Sequence, residues 1–365
     1  MSQKCGFELY ELEPGSARCS RRGLVSMRVL KRIAIGFGLS CGLSLVVLFC
    51  VAGALAAFCH PDAPKALASV TEPFATMDLS GLPRLVSYRA RDGANLSYRV
   101  YPGQSSQGGQ GGQVVVLIHG SAGSSQDMHR MALALAESGS TVLVPDLRGH
   151  GANRPHGDVA YVGQLDDDME DFMQAMRPAY PGKKWTLLGF SSGAGFALRI
   201  GGEPQGKEFD RYILLSPFLR YNAPTARQDA AKPNDDAHWY SVSIKRIVGL
   251  SILGSFGIHH FDGLPVISFP VPDNLESVTA SYSLRMQDNF EPHANYRADI
   301  RNSQKPMLVF VGSADELLFP DRFANVFDSE RPDVPVTILP GMTHSDMITK
   351  PLAIQAAVQA VRQFD

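Results

Sequence analysis

Lys184-Trp185-Thr186-Leu187-Leu188-Gly189-Phe190-Ser191-Ser192-Gly193-Ala194-Gly195 is an apolar run that breaks at a glycine, presents a serine and restarts among small residues. It reads as strand, sharp turn, helix. Within it, Gly189-Phe190-Ser191-Ser192-Gly193 fits G-x-S-x-G, a turn that lifts a serine hydroxyl clear of a sheet edge, and Ser191 is the candidate nucleophile. Gly189 and Gly193 flank a backbone so tightly turned that a side chain at either would collide with the neighbouring strand or helix. Five residues are a weak pattern by themselves, and a glycine-rich loop reads the same way. The decision rests on what surrounds them.

Upstream and downstream, strand and helix patterns alternate, which argues for a mostly parallel sheet with crossover helices. Val114-Val115-Val116-Leu117-Ile118 is wholly apolar, as a strand buried on both faces should be. A helix follows over 128–137, then the strand Thr141-Val142-Leu143-Val144-Pro145, then a helix over 167–176 with Met169, Phe172, Met173 and Met176 at helical spacing. After the opening stretch come the strands Tyr212-Ile213-Leu214-Leu215-Ser216, Pro306-Met307-Leu308-Val309-Phe310-Val311-Gly312 and Val334-Pro335-Val336-Thr337-Ile338-Leu339, and a last amphipathic helix over 351–364. Ahead of this series, Leu85-Val86-Ser87-Tyr88 and Leu96-Ser97-Tyr98-Arg99-Val100-Tyr101 flank an Asp92-Gly93 hairpin signal. Residues 104–113 are a Gly/Gln/Ser surface loop. Between the strands at 212–216 and 306–312, residues 217–302 interrupt the rhythm. Their apolar part, with Ile247, Leu250, Leu253, Phe256 and Phe261, predicts a partly helical cap over the site, since a structureless loop of that length is improbable in a compact domain.

A serine nucleophile needs a base to take its proton and an acid to hold that base in one tautomer. Both residue types follow Ser191, each just beyond a strand: Asp315 in Gly312-Ser313-Ala314-Asp315-Glu316, and His344 in Pro340-Gly341-Met342-Thr343-His344. Glu316 is the nearest competitor as acid. Stabilising the oxyanion needs two backbone N–H donors. The N–H of Ser192, directly after the nucleophile, is one candidate. That of Ser121, in His119-Gly120-Ser121 after the first buried strand, is the other. His119 reads as a brace of that loop rather than a second base, and His119, Gly120, Gly189 and Gly193 are read as shaping the site.

The 365 residues suffice for one large α/β domain with an appendage. A net charge of -2 gives no field to hold nucleic acid. The five cysteines are Cys5, Cys19, Cys41, Cys50 and Cys59, so the region beyond residue 60 has neither a disulfide nor a cysteine-based metal site. Residues 33–58 hold no charged side chain, and at 1.5 Å per residue a helix there exceeds the roughly 30 Å apolar core of a bilayer. Arg18, Arg21, Arg22, Arg28, Lys31 and Arg32 precede it without an acid, which by the positive-inside rule keeps the N-terminus cytoplasmic and the rest on the far side. A cleaved signal peptide is the rival, since Ala54-Leu55-Ala56 and Ala66-Leu67-Ala68 fit a cleavage pattern. The apolar run exceeds the usual signal length, which favours a retained anchor. The expected organisation is a basic segment at 1–32, a transmembrane anchor at 33–58, a proline-rich linker at 59–83 and a catalytic domain at 84–365 with its cap at about 217–302.

With these residues in place, the chain from about 114 to 365 resembles an α/β-hydrolase of the lysophospholipase, monoacylglycerol-lipase and serine-aminopeptidase-like group. The resemblance is carried by His119-Gly120, Asp146-Leu147-Arg148-Gly149-His150-Gly151, the stretch 189–193, Asp315 and His344. The loop Asp146–Gly151 is similar to that group's D-x-R-G-H-G loop, which shapes the site without supplying a catalytic residue. The elbow departs from the G-x-S-M-G and G-H-S-x-G forms of several lipases, and the cap has no matching motif. The resemblance implies hydrolysis of an ester, thioester or amide through Ser191, His344 and Asp315, with no metal or cofactor and a small acyl substrate. A lipid-like ester is the leading substrate class, given the anchor and the apolar cap. An aminopeptidase would want a cap carboxylate such as Asp235, Asp236, Asp262 or Glu291 for the substrate amine. A catalytically silent ligand-binding fold is the remaining alternative.

Overall fold

The uncharged run forms one α-helix, α1 (Arg21–Phe58), which begins inside the basic stretch and of which Met27–Phe58, 32 residues, is long and apolar enough to cross a membrane. The structure is a computed structural model that describes residues 21–104, 112–227, 239–270 and 278–363, with side chains from residue 27 onward. Arg18, Cys5, Cys19, most of the Gly/Gln/Ser tract, the cap acids Asp235 and Asp236 and the last expected helical residue, Phe364, lie outside the described residues, as do the side chains of Arg21 and Arg22. Two compact units make up the chain, Met1–Ala52 and Gly53–Asp365, the second holding the last turns of α1 and every later element.

The stretch read as a linker, 59–83, is more than that. It contains α2 (Ala68–Ala75), and its carbonyls are taken up by polar side chains from far along the chain. Ser345 Oγ donates to the Val70 carbonyl at 3.0 Å, His129 Nε2 to that of Ser80 at 3.1 Å, and Arg99 to that of Pro83. Its four prolines, Pro61, Pro64, Pro73 and Pro83, erase any periodicity, and the partners that hold it are invisible in its own composition.

The hairpin is β1 (Val86–Arg89) and β2 (Asn95–Tyr101), and then come β3 (Val114–Ile118), α3 (His129–Glu137), β4 (Thr141–Pro145) and α4 (Gln164–Met176). The elbow strand is β5 (Trp185–Phe190), its helix α5 (Ser192–Gly202), and β6 (Arg211–Leu215) follows. The sheet order is β1-β2-β4-β3-β5-β6 and then, past the cap, β10 (Met307–Gly312) and β11 (Val336–Leu339). All pairings from β4 to β11 are parallel, and the hairpin adds the antiparallel edge. In β3, β5 and β6 every residue is buried, which is why these runs carry no polar alternation. One face of the sheet packs Val115, Leu117 and Val142 against Met131 and Leu135 of α3 and Ile354, Ala357 and Val361 further on. On the other face Phe172 of α4 sits edge-on to Tyr88 and Tyr98 at 5.1 and 5.4 Å.

The cap, expected to be partly helical, also holds a small antiparallel sheet. Its elements are β7 (Ser241–Val242), α6 (Ile244–Ser255), β8 (Pro265–Ser268), β9 (Ser281–Ser283), α7 (Leu284–Asn289) and α8 (Tyr296–Asn302), with β7-β8-β9 in that order. These strands have two to four residues each, too short for alternation to signal them. At the start of α6, Ser243 Oγ donates to the Cys59 carbonyl at 2.7 Å, and Arg246 Nη2 to the Ala57 carbonyl at 3.3 Å and to His60 Nδ1 at 2.8 Å. The cap thus occupies carbonyls that the C-terminus of α1 leaves without helical partners. The chain closes through α9 (Phe323–Asp328), α10 (Asp346–Thr349) and α11 (Pro351–Arg362). The strand expected from 334 is regular only from Val336, after Pro335.

Candidate active site

Ser191 stands between β5 and α5 at φ 55 and ψ −120, a left-handed conformation that costs a side-chain-bearing residue about 1–3 kcal/mol. Its surroundings over-determine it. The Ser191 N–H donates to the Leu215 carbonyl at 2.9 Å, while its own carbonyl accepts from the N–H groups of Ala194, Gly195 and Phe218, each at 3.0 Å. The flanking glycines are a steric requirement. A Cβ on Gly189 would lie 2.2 Å from the Gly193 carbonyl oxygen, and one on Gly193 would lie 2.2 Å from that of His119.

The loops after β10 and β11 bring Asp315 and His344 to Ser191. His344 Nδ1 is 2.8 Å from Asp315 Oδ2, and His344 Nε2 is 2.9 Å from Ser191 Oγ. An ionised carboxylate only accepts, so the proton sits on Nδ1 and Nε2 is bare toward the serine hydroxyl. Asp315 Oδ1 accepts from the N–H groups of Leu317 and Leu318, both at 3.0 Å, which fixes the carboxylate. Burial pushes the Asp315 carboxyl up, but the charge and hydrogen bond of the neighbouring imidazole, together with hydrogen bonds such as that from the Leu317 N–H, more than offset this and the net pKa is lowered. For His344, burial disfavours the imidazolium while the Asp315 charge favours it, and the net pKa is raised. Glu316, the competitor as acid, instead accepts the backbone N–H of His344 at 2.9 Å.

His119 is fully buried. Its Nδ1 donates to the Gly120 carbonyl at 2.8 Å and its Nε2 accepts the Leu147 N–H at 3.2 Å, tying the loop after β3 to the Asp146–Gly151 loop. Burial lowers its pKa, which keeps both bonds. A Cβ on Gly120 would press on the Phe190 ring at 3.1 Å and Ser191 Cβ at 3.2 Å. Ser121 and Ser192 meet through their hydroxyls at 2.5 Å, and among the described residues no backbone carbonyl engages either backbone N–H. In the second loop, Asp146 accepts the N–H groups of Ser125 and Ala152 at 2.7 and 3.0 Å, and Arg148 is bidentate to Asp168 at 2.8 and 2.7 Å.

One residue escaped the sequence. Tyr282 of β9, 1% exposed, reaches from the cap to this loop pair: its hydroxyl is 2.8 Å from Ala122 N and 2.5 Å from His150 Nε2. Only the short alternation Ala280-Ser281-Tyr282-Ser283 hinted at a strand there. Of the cap acids, Glu291 is buried against Arg220 at 2.7 Å and Gln287 at 2.9 Å, and burial lifts its carboxyl to about 7. Asp262 pairs with His259 at 2.8 Å.

The sheet order, the strand-turn-helix at Ser191 and the inserted cap define an α/β-hydrolase fold. The sequence profile of the family described as serine aminopeptidase, S33, matches residues 110–249. A soluble variant of monoglyceride lipase from Saccharomyces cerevisiae, solved with a substrate analogue, superposes with a TM-score of 0.57 at 18% identity over 79% of this chain and 97% of that one. The monoacylglycerol lipase of Paleococcus ferrophilus superposes with a TM-score of 0.54 at 17% identity over 74% and 100%. No curated protein matches the sequence. Fold and profile together show an α/β-hydrolase fold, with similarity to that family over residues 110–249.

Proposed function

We propose that the protein is a membrane-anchored serine hydrolase that cleaves carboxylic esters, with lipid-like esters as its substrate class, through an acyl-enzyme on Ser191. The observation that carries this reading is the unbroken line Asp315–His344–Ser191, at 2.8 and 2.9 Å. His344 Nε2 takes the Ser191 proton as Oγ attacks the acyl carbon, and returns it to the departing alcohol. Water then repeats the sequence on the acyl-enzyme, with His344 again as base. Asp315 holds the tautomer and favours the imidazolium. The backbone N–H groups of Ser121 and Ser192 receive the oxyanion, each worth on the order of a hundred- to a thousandfold in rate.

The lipid-like class is supported by the cap's outer side, where Ile244, Val248, Phe256 and Phe261 are 43–63% exposed and α6 starts against the end of α1. Arg28, Lys31 and Arg32 before the apolar run support a cytoplasmic N-terminus with the hydrolase on the far side. The grip of Ser243 and Arg246 on the carbonyls of Cys59 and Ala57 weighs against cleavage after Ala68, and the length of the apolar run weighs against cleavage after Ala56. The described cap carboxylates weigh against an aminopeptidase, since Glu291 and Asp262 already have partners.

The test is labelling of the detergent-solubilised chain with a fluorophosphonate, followed by p-nitrophenyl esters of increasing acyl length. Labelling of the wild type and none of Ser191→Ala is expected, with turnover persisting beyond butyrate. An unlabelled wild type would overturn the serine-hydrolase reading. Activity confined to acetate and butyrate would overturn the lipid-like class.

A further inference from the structure

The residue after Ser121 is held from the cap at both ends of its backbone. The Ala122 N–H donates to the Tyr282 hydroxyl oxygen at 2.8 Å, and the Ala122 carbonyl accepts the Thr279 N–H at 2.9 Å. Ala122 is 1% exposed and sits at φ 61, a left-handed conformation costing roughly 1–2 kcal/mol that an alanine keeps only when its surroundings impose it. Here those surroundings are the turn that the Gly123 N–H closes on the Gly120 carbonyl at 3.3 Å, together with the two bonds from the cap.

The phenol is itself oriented. His150 Nδ1 lies 3.1 Å from the Arg148 carbonyl, which only accepts, so the imidazole proton is on Nδ1 and Nε2 is bare. Tyr282 therefore donates its O–H to His150 Nε2 at 2.5 Å and presents its lone pairs to Ala122. The ring is clamped edge-on by Phe269 at 4.7 Å and His150 at 5.3 Å, and Thr279 Oγ1 donates to the Gly149 carbonyl at 3.0 Å. Residues 279 and 282 thus bond both loops that border Ser191, although neither reaches the reacting atoms.

We propose that Tyr282 is a positioning residue for the oxyanion hole: by holding Ala122 left-handed it aims the Ser121 N–H at the developing oxyanion, so the hole is complete only when the cap strand is seated. This rests on the serine-hydrolase reading above. Without the hydroxyl, the Ala122 N–H and His150 Nε2 lose their shared partner, and Ala122 relaxes toward an ordinary conformation that turns the Ser121 N–H away. The line from Asp315 to Ser191 is untouched.

Tyr282→Phe in the full chain tests this, because it keeps the ring and removes only the hydroxyl. The expected result is a fall in kcat of about ten- to a hundredfold, part of what losing a whole oxyanion donor costs. KM should stay within about threefold and the pH profile should keep its shape. Affinity for a trifluoromethyl ketone, whose serine adduct carries an oxyanion, should fall in parallel with kcat/KM, a readout that mere loosening of the fold does not produce. A second change, Ala122→Gly, lets that position stay left-handed without strain and should restore part of both losses. If Tyr282→Phe does not fold, as circular dichroism will report, His150→Gln is the milder variant, and the same parallel loss is expected there. A kcat within twofold of wild type, or a loss without weaker ketone binding, would overturn the proposal. A wild type that a fluorophosphonate labels at Ser191, beside an undiminished Tyr282→Phe, overturns this inference alone. An unlabelled wild type overturns the hydrolase reading and this inference together.

Discussion

His344 receives opposing instructions from its environment: burial favours the neutral imidazole, the charge and hydrogen bond of Asp315 with the charge of Glu316 favour the imidazolium, and these together prevail. In the proposed mechanism only the neutral form accepts the Ser191 proton, so activity is lost as pH falls through the His344 pKa. Because that pKa is raised from 6.5, the acid limb of kcat/KM should have its midpoint above 6.5. Asp315→Asn removes the charge and leaves burial, so the midpoint should move down while kcat drops by about four orders of magnitude. A pH–rate profile of both proteins checks both statements; an unmoved midpoint would remove Asp315 from the proposed role. At the same scale, Gly193→Ala would put a Cβ 2.2 Å from the His119 carbonyl oxygen, a backbone atom that no rotamer change relieves. It should cost roughly 3 kcal/mol or more, read as a Tm lower by about 6 °C or more in thermal unfolding.

Among the elements, α2 is the one whose role changed most between sequence and structure. Val70 is buried and its carbonyl is held by Ser345, the residue next to His344, while Phe74 packs against the cluster that contains Met347 and Ile348. Ser345→Ala should therefore remove the bond that ties α2 to the His344 loop and cost about 0.5–1.5 kcal/mol. A chain beginning at residue 84 should be destabilised more. Adding Ser345→Ala to that shorter chain should cost almost nothing further, because both changes remove the same bond. Additive losses in thermal unfolding would show that α2 and the His344 loop are independent. The strands and helices of the sheet, in contrast, were legible within a few residues, because each is a run of one period bounded by Gly, Pro or a charged turn. The cap sheet was not, because strands of two to four residues are fixed by the partner they meet.

For the whole molecule, the reading of α1 as a retained anchor predicts that the chain stays in the pellet on alkaline carbonate extraction of membranes. A chain from which residues 1–52 are removed should be released by that treatment unless the apolar residues of α6 hold it. Recovery of the full chain as a soluble, shortened product would support the signal-peptide alternative instead. What the sequence by itself determined is what local chemistry can encode: the alternating sheet, the glycines demanded by the turn at Ser191, the uncharged run of α1, and the residue types at the strand ends. Those features depend on neighbours a few positions away, so period and spacing reveal them. Only the tertiary structure decided that Asp315 and not Glu316 faces His344, that 59–83 is bound to the domain, and that Tyr282 of the cap holds Ala122. Each of these is a choice between chemically similar partners separated by up to 275 positions in the chain. Their selection is made by distance and direction after folding, which no stretch of the chain carries on its own.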